Sequence, residues 1–143
     1  ARTRVEIAPE GDFLSQAGKR GIVMSEITKV RFVLAVLDLK RSTHYYTSVL
    51  GLAIDFEAPG WSFLSRAGFR VMLGECTGAI PPGQLGDHAY YGYITVTDVD
   101  ALHAEYEHSG VQFTQPLASK PWGMREFGIR TVDGHRLMFG QEL

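Results

Sequence analysis

The sequence predicts an α+β fold made of two βαβββ modules, because two patterns each occur twice and in the same order. Residues 68–75 and 134–141 both follow the pattern Gly-x-Arg-(Val/Leu)-Met-(Leu/Phe)-Gly-(Glu/Gln). Upstream of each, residues 32–39 and 92–99 form an apolar or alternating run that ends in Asp and an aliphatic residue. Two copies are too few for a solenoid, so we expect them to form one domain.

Composition limits the class of protein. At 143 residues the chain has the size of one domain, and 45% hydrophobic with 21% charged residues is typical of a soluble globular protein. A net charge of −2 gives no reason to expect a nucleic-acid partner, since phosphate binding needs clustered basic residues. No apolar run approaches the roughly 20 residues that cross a bilayer, so no membrane partner is expected. The single Cys76 excludes an internal disulfide and favours a reducing cytoplasm.

The chain divides into an extension and a domain. Residues 1–28 have weak periodicity, and we interpret them as a poorly ordered N-terminal extension that packs along a subunit surface if it is ordered. Residues 29–143 are predicted to form a single domain. Its modules occupy 29–75 and 89–142, and the linker 76–88 contains a Pro-Pro-Gly run typical of turns.

The first module is predicted to contain a strand, a capped helix and three further strands. Asp38 can cap a helix over residues 39–50, and Gly51 suits the left-handed conformation that ends it. Turn residues separate the strands, which we place at 29–37, 52–57, 61–65 and 69–73.

The second module repeats that order. Asp98 caps a helix that Gly110 stops, and a long loop over residues 115–124 carries Trp122. The strands are predicted at 89–97, 111–114, 125–131 and 135–141.

Three motifs link these elements to a known family. Asp-Leu-x-x-Ser begins at Asp38, Tyr-Tyr-x-x-Val-Leu-Gly begins at Tyr45, and Asp-Gly-His-Arg-Leu-x-Phe begins at Asp133. Over residues 29–141 the chain resembles the glyoxalase/bleomycin-resistance/extradiol-dioxygenase superfamily, also called vicinal oxygen chelate proteins. The resemblance implies that each module curls its sheet into a half-barrel around a pocket, and that the protein is a homodimer.

The resemblance also identifies four positions that carry metal ligands in many relatives. They are commonly His in the first strand and Glu in the last strand of each module; here they are Arg31, Met72, Tyr91 and Met138. A guanidinium repels a metal cation, and thioethers are soft donors that suit cuprous copper at most. We therefore expect no metal and no other cofactor. The alternative is a relocated metal site at His88 with Glu75 or Glu126.

The same positions predict a pocket for a small molecule. Strand alternation places six side chains around it, Arg31, Met72, Tyr91, Tyr93, Glu126 and Met138, and Trp122 is on the loop above. Each has a structural alternative. The two methionines can fill a collapsed half-barrel core, Arg31 and Glu126 can form an ion pair, and the tyrosines can pack on each other.

The function that this pocket predicts is metal-independent binding of a small, partly aromatic organic molecule. The bleomycin-resistance branch implies antibiotic sequestration without turnover, so we lean away from an enzyme. One alternative is a lyase, isomerase or dioxygenase-like enzyme with a displaced metal, or with Glu126 or Tyr91 as a metal-free acid or base. A second alternative is a non-catalytic assembly domain whose cavity is filled by its own side chains.

Overall fold

The structure is a computed structural model that describes Ser25 and residues 28–85 and 90–143. Its first module contains β1 (Phe32–Val36), α1 (Leu39–Ser48), β2 (Ala53–Ala58), β3 (Trp61–Arg66) and β4 (Phe69–Glu75). A 3₁₀ turn at Pro82–Gln84 precedes the second module, which contains β5 (Tyr90–Thr95), α2 (Val99–His108), β6 (Gln112–Ser119), β7 (Met124–Arg130) and β8 (Arg136–Glu142). The predicted α+β class and the repeated βαβββ order are confirmed.

Most of the predicted extension and part of the linker, including His88, lie outside the described residues. Neither of the two described α-helices is long and apolar enough to cross a membrane.

Equivalent aspartates begin both helices. The Oδ1 atom of Asp38 accepts a hydrogen bond from Arg41 N at 3.0 Å, and that of Asp98 accepts one from Ala101 N at 3.0 Å. Each bond satisfies a backbone donor that the first turn of a helix leaves free. Gly51, with φ of 77°, follows the first helix, so the chain reverses there without steric strain.

Each module folds into its own four-stranded sheet. The strand orders are β1-β4-β3-β2 and β5-β8-β7-β6, so both modules have the same topology. In each sheet the first strand of the module pairs in parallel with the last one, and the other neighbours are antiparallel. The last strand of each module, which carries the repeated Gly-x-Arg pattern, is therefore central.

The two sheets share one hydrophobic core. Leu34 and Val71 from the first sheet and Leu137 and Phe139 from the second belong to the same buried cluster. The ring centroids of Phe69 and Phe139 lie 6.5 Å apart across the junction of the modules. Because side chains alternate along a strand, the opposite face of each sheet points away from this core. We call these the first and second open faces.

The hairpin between β6 and β7 differs from the prediction. The long loop expected over residues 115–124 is mostly strand, since β6 runs to Ser119 and only a short turn remains. Pairing with β7 is irregular around Gln115, and β6 is an edge strand. Pro116 is tolerated there because an edge strand and a bulge do not need its missing N–H.

Candidate functional site

The first open face carries an ion pair among aromatic and aliphatic side chains. Its members are Arg31, Val33, Asp55, Phe56, Trp61, Phe63 and Met72. Arg31 Nη2 lies 3.1 Å from Asp55 Oδ2, and Ser65 Oγ donates to Asp55 Oδ1 at 2.8 Å. The Ser65 hydroxyl and the Arg31 guanidinium hold the pKa of Asp55 below its ordinary value. The charge of Arg31 is therefore already compensated within its own sheet.

The apolar part of this face is accessible. Val33 is 61% exposed and Phe56 is 60% exposed, although both are large hydrophobic residues on strands. The Trp61 ring lies where a side chain at residue 74 would project, with ring atoms 2.8 Å from the position of a Cβ on Gly74. Glycine at 74 is thus required for the indole to lie flat on the sheet. Apolar surface of this kind marks a binding or association site.

The second open face is built around a buried carboxylate. Its members include Tyr90, Tyr93, Glu126, Gly128, Arg130, Arg136, Met138 and Gly140. The Tyr93 hydroxyl donates to Glu126 Oε2 at 2.6 Å, and Glu126 is only 5% exposed. The Tyr93 phenol group occupies the space that a side chain on Gly140 would need. Met138 is buried on this side of the sheet and lies beside Tyr93 in the register of β5 and β8.

The electrostatics of this face fix the hydrogen-bond roles. Burial, followed by the hydrogen bond to Glu126 and its charge, raises the pKa of Tyr93 well above its ordinary value. The phenol therefore stays protonated at neutral pH and acts as the donor. No salt bridge to Glu126 exists within residues 28–85 and 90–143. The Arg130 Nε atom is fully buried and has no hydrogen-bond partner in that part of the chain.

The predicted site residues fall on two faces instead of one. Arg31 and Met72 lie on the first open face, whereas Tyr93, Glu126 and Met138 lie on the second. Each of the two faces points away from the shared core. The alternative ion pair between Arg31 and Glu126 is wrong, because their partners are Asp55 and Tyr93.

The placement predicted for Tyr91 is also wrong. The pairing of β5 with β8 shifts between Tyr90 and Gly92, which makes Tyr91 the extra residue of a β-bulge. Its hydroxyl lies 2.9 Å from the Tyr46 hydroxyl, and its ring packs 5.5 Å from that of Phe32. Tyr91 therefore faces the core between the modules, and Tyr90 takes the position on the open face. Burial raises the pKa of Tyr91 well above its ordinary value, which does not suit an acid–base role near neutral pH.

Trp122 lies in the turn between β6 and β7. It is 65% exposed, and Lys120 Nζ lies 5.8 Å from the centroid of its ring in a cation–π arrangement. Within the described residues it makes no ring contact with the other predicted site residues. Its role in ligand binding stays a prediction that rests on its exposure.

The donors at the four family positions do not fit a metal ion. Arg31 is held in an ion pair, Tyr91 faces the core, and the two methionines lie on different faces. Among the residues that the structure describes, no group of three His, Cys, Asp or Glu side chains could hold a metal. The relocated site that we considered includes His88, which lies outside those residues.

Sequence reasoning missed several residues near these faces. Asp55, Trp61 and Phe63 were not among the predicted pocket residues. The alternation of β3, in which Ser62 and Leu64 are buried, places Trp61 and Phe63 opposite them. Alternation along the sequence does not predict the position of Asp55, because an irregularity in β2 between Ile54 and Phe56 places it on the open face.

A cavity of about 870 Å³ was missed as well. It lies where the turn between β3 and β4 approaches β5 and α2, and Phe69, Tyr93 and Tyr106 contribute to its lining. Its volume falls in the usual range for small-molecule sites. Of the predicted site residues only Tyr93 borders it.

Comparisons with known proteins place this geometry in a family. The structure of TioX from Micromonospora sp. ML1 is 25% identical, covers 81% of this chain and 99% of its own, and superposes with a TM-score of 0.68. The bleomycin-binding protein from bleomycin-producing Streptomyces verticillus, complexed with copper(II)-bleomycin, is 24% identical over 81% of this chain and 97% of its own, with a TM-score of 0.65. TnmS3, an antibiotic binding protein from Streptomyces sp. CB03234, is 23% identical over 85% and 100%, with a TM-score of 0.66.

Comparison with curated protein sequences gives no match. The sequence model of the Glyoxalase/Bleomycin resistance protein/Dioxygenase superfamily, in contrast, matches residues 29–139. That match spans both modules, together with the strands that carry Met72 and Met138. The chain therefore belongs to the glyoxalase/bleomycin resistance protein/dioxygenase superfamily.

Proposed function

We propose that this protein binds a small, partly aromatic organic molecule without the help of a metal. The observation that carries this proposal is the chemistry of the two open faces. Met72 and Met138 stand at the family's metal positions, and aromatic side chains surround them. A polarisable apolar surface with a few placed polar groups is the usual composition of a small-molecule site.

The similar proteins support an antibiotic as the kind of ligand. One of them was solved with copper(II)-bleomycin, and another is described as an antibiotic binding protein. We propose that this chain likewise sequesters an antibiotic-like molecule in the cytoplasm, the compartment that a chain with a single cysteine favours. Sequestration requires only tight binding, so no catalytic group is assigned.

We further propose that a second copy of the chain completes each site. The first open face exposes Val33, Phe56 and Trp61, which is costly for a face that stays in water. Since each open face points away from the shared core, a homodimer can bring the first face of one copy against the second face of the other. Light scattering after size exclusion tests this: we expect a dimer for the wild type and a monomer for Val33→Glu.

Titration with planar antibiotics, followed by tryptophan fluorescence, tests the function. We expect saturable quenching that is unchanged by excess EDTA, because the faces hold no metal donor set. Trp122→Phe and Trp61→Phe identify which indole reports the ligand, and each serves as the control for the other. Loss of binding in EDTA with recovery on adding one divalent metal would contradict metal independence. Steady product formation would favour the enzyme alternative.

A further inference from the structure

We propose that the second open face is a cation subsite, in which Glu126 binds the protonated amine of a ligand with an aromatic body. This assignment rests on the proposed function, since it names the chemistry of the ligand that the protein would bind. It concerns the part of the ligand that lies against β5, β7 and β8.

The first reason is that Glu126 is a buried carboxylate without a cation. Among residues 28–85 and 90–143 it is the only Asp or Glu that is buried. Three other carboxylates, Asp55, Asp100 and Glu105, form ion pairs with arginines and are far more exposed. A buried carboxylate is costly unless charge and hydrogen bonds compensate it, so its own sheet leaves this group incompletely satisfied.

The second reason is that one carboxylate oxygen of Glu126 has no hydrogen-bond donor among the described residues. Tyr93 donates to Oε2 only, and within the described residues no donor reaches Oε1. Oε1 is not among the fully buried unpaired atoms of that part of the chain, so it keeps access to the open face. A protonated amine can therefore approach it and form a charge-assisted hydrogen bond.

The third reason is that no salt bridge holds Glu126 among the described residues. Arg125, the next residue along β7, is held by Asp100 through contacts of 2.9 to 3.2 Å. Arg130 and Arg136 share the face and pair with each other in the register, four residues along β7 and β8 from Glu126 and Gly140. A bound ligand can bring a positive charge directly to Glu126.

The surroundings of Glu126 suit an aromatic amine. The Tyr93 ring stands beside the carboxylate, and ring faces attract organic cations. Gly128 lies opposite Met138 in the register, and Gly140 follows Met138 along β8. The Met138 thioether lies over Gly128 and the Tyr93 phenol over Gly140, so both side chains pack close to the sheet beside Glu126. The first open face offers no such site, because Arg31 already neutralises Asp55.

A matched set of three probes tests the charge preference. The probes are 1-naphthylmethylamine, 1-naphthalenemethanol and 1-naphthoic acid, which share one aromatic body and are cationic, neutral and anionic at pH 7. By calorimetry on the full-length protein we expect the amine to bind about tenfold more tightly than the alcohol, and the acid to bind most weakly. Glu126→Gln should abolish the preference for the amine and leave the affinity for the alcohol unchanged. Glu107→Gln, an exposed carboxylate on α2 outside both open faces, is the control and should leave the preference intact.

Equal binding of the three probes would overturn the cation subsite while the proposed function stands. A preference that survives Glu126→Gln would overturn it as well. Failure of all three probes to bind would count against the proposed function and, with it, against this assignment.

A labelling experiment on the wild type keeps the test independent of how Glu126→Gln folds. With a water-soluble carbodiimide, 1-naphthylmethylamine forms an amide with an activated carboxylate, and the carbodiimide is released as its urea. Peptide mass spectrometry should find the label on Glu126 ahead of the exposed Glu142. Labelling that follows exposure alone, with Glu126 unmodified, would overturn the proposal.

Discussion

The two modules have the same framework but different open faces. Met72 and Met138 occupy equivalent places in β4 and β8, and Gly74 and Gly140 follow them at equivalent distances. The core side is equally similar, since Leu73 and Phe139 are both buried in the shared cluster. In both modules the residues that pack into the shared core are hydrophobic.

The open faces differ at matched positions. Trp61 lies opposite Gly74 in β3, whereas Glu126 lies opposite Gly140 in β7. Likewise Phe63 is paired with Met72, but Gly128 is paired with Met138. An aromatic surface in the first module thus corresponds to a buried carboxylate beside a methionine in the second. A duplicated unit can thus keep the same hydrophobic core and still differ on its open face.

The largest expected effect comes from breaking the core that the modules share. Phe139→Ala removes a ring that packs on Phe69, Tyr106 and Phe127, and should lower the free energy of unfolding by about 3–5 kcal/mol. Urea denaturation measures this. The exposed Ile80→Ala, outside both open faces, is the control, with an expected loss below about 1 kcal/mol. Two separate transitions in the wild type would show that the modules do not depend on one core.

Substitutions at the equivalent glycines, Gly74 and Gly140, compare the packing of the two open faces directly. Gly140→Val forces out Tyr93, which is held by Glu126, and should cost about 3 kcal/mol of stability. Gly74→Val meets the Trp61 ring, which is 39% exposed and can swing away, so we expect a loss of about 1 kcal/mol. Thermal unfolding of both variants checks this order. Equal losses would mean that the hydrogen bond does not fix Tyr93.

A third difference between the modules, at His135, predicts that the stability of the protein depends on pH. His135 stands where the first module has Phe69, and both side chains are buried. Burial lowers the pKa of His135 below its ordinary value, although Asp133 acts in the opposite direction. The unfolded state therefore takes up the proton first, so stability should fall as the pH drops below about 6.5, the ordinary value for histidine.

Replacing His135 by the residue of the first module tests this. In His135→Phe that part of the pH dependence should disappear from urea denaturation curves measured between pH 5 and pH 8. His108→Gln, at the exposed end of α2, is the control and should behave as the wild type. An unchanged dependence in His135→Phe would show that other groups cause it.

The smallest expected effect concerns the ion pair that joins the modules. Arg66 Nη1 lies 2.9 Å from Glu105 Oε2, and both side chains are at least 40% exposed. Pairs of this kind contribute about 0–1 kcal/mol, so Glu105→Gln should change stability by less than about 1 kcal/mol at physiological salt. Urea denaturation at low and high salt measures it. A loss of several kcal/mol would mean that surface charges, and not the core, hold the modules together.

Much of the fold could be predicted from the sequence because its signals are local. Asp38 and Asp98 begin helices, and the repeated Gly-x-Arg-x-Met pattern marks the central strands. The sides assigned to Met72, Glu126 and Met138 followed from alternation alone. These features need no knowledge of how the modules pack.

The site was harder to predict because it depends on irregular pairing and on the packing of two modules. The bulge at Tyr91 reverses the side on which that residue lies, and nothing in the run of tyrosines distinguishes 90 from 91. Asp55 is placed by a similar irregularity in β2. Within one chain Arg31 and Glu126 lie on different sheets, because alternation gives a face and not the direction in which that face points.

The bulge in β5 also determines how a metalloenzyme could be engineered from this chain. Histidine introduced at Tyr91, the position that a linear alignment suggests, would direct its imidazole toward Tyr46 and Phe32. Histidine at Tyr90 together with glutamate at Met138 would instead place both donors on one side of the sheet. A design that copies the aligned positions of relatives would thus place one of its four metal ligands in the protein interior.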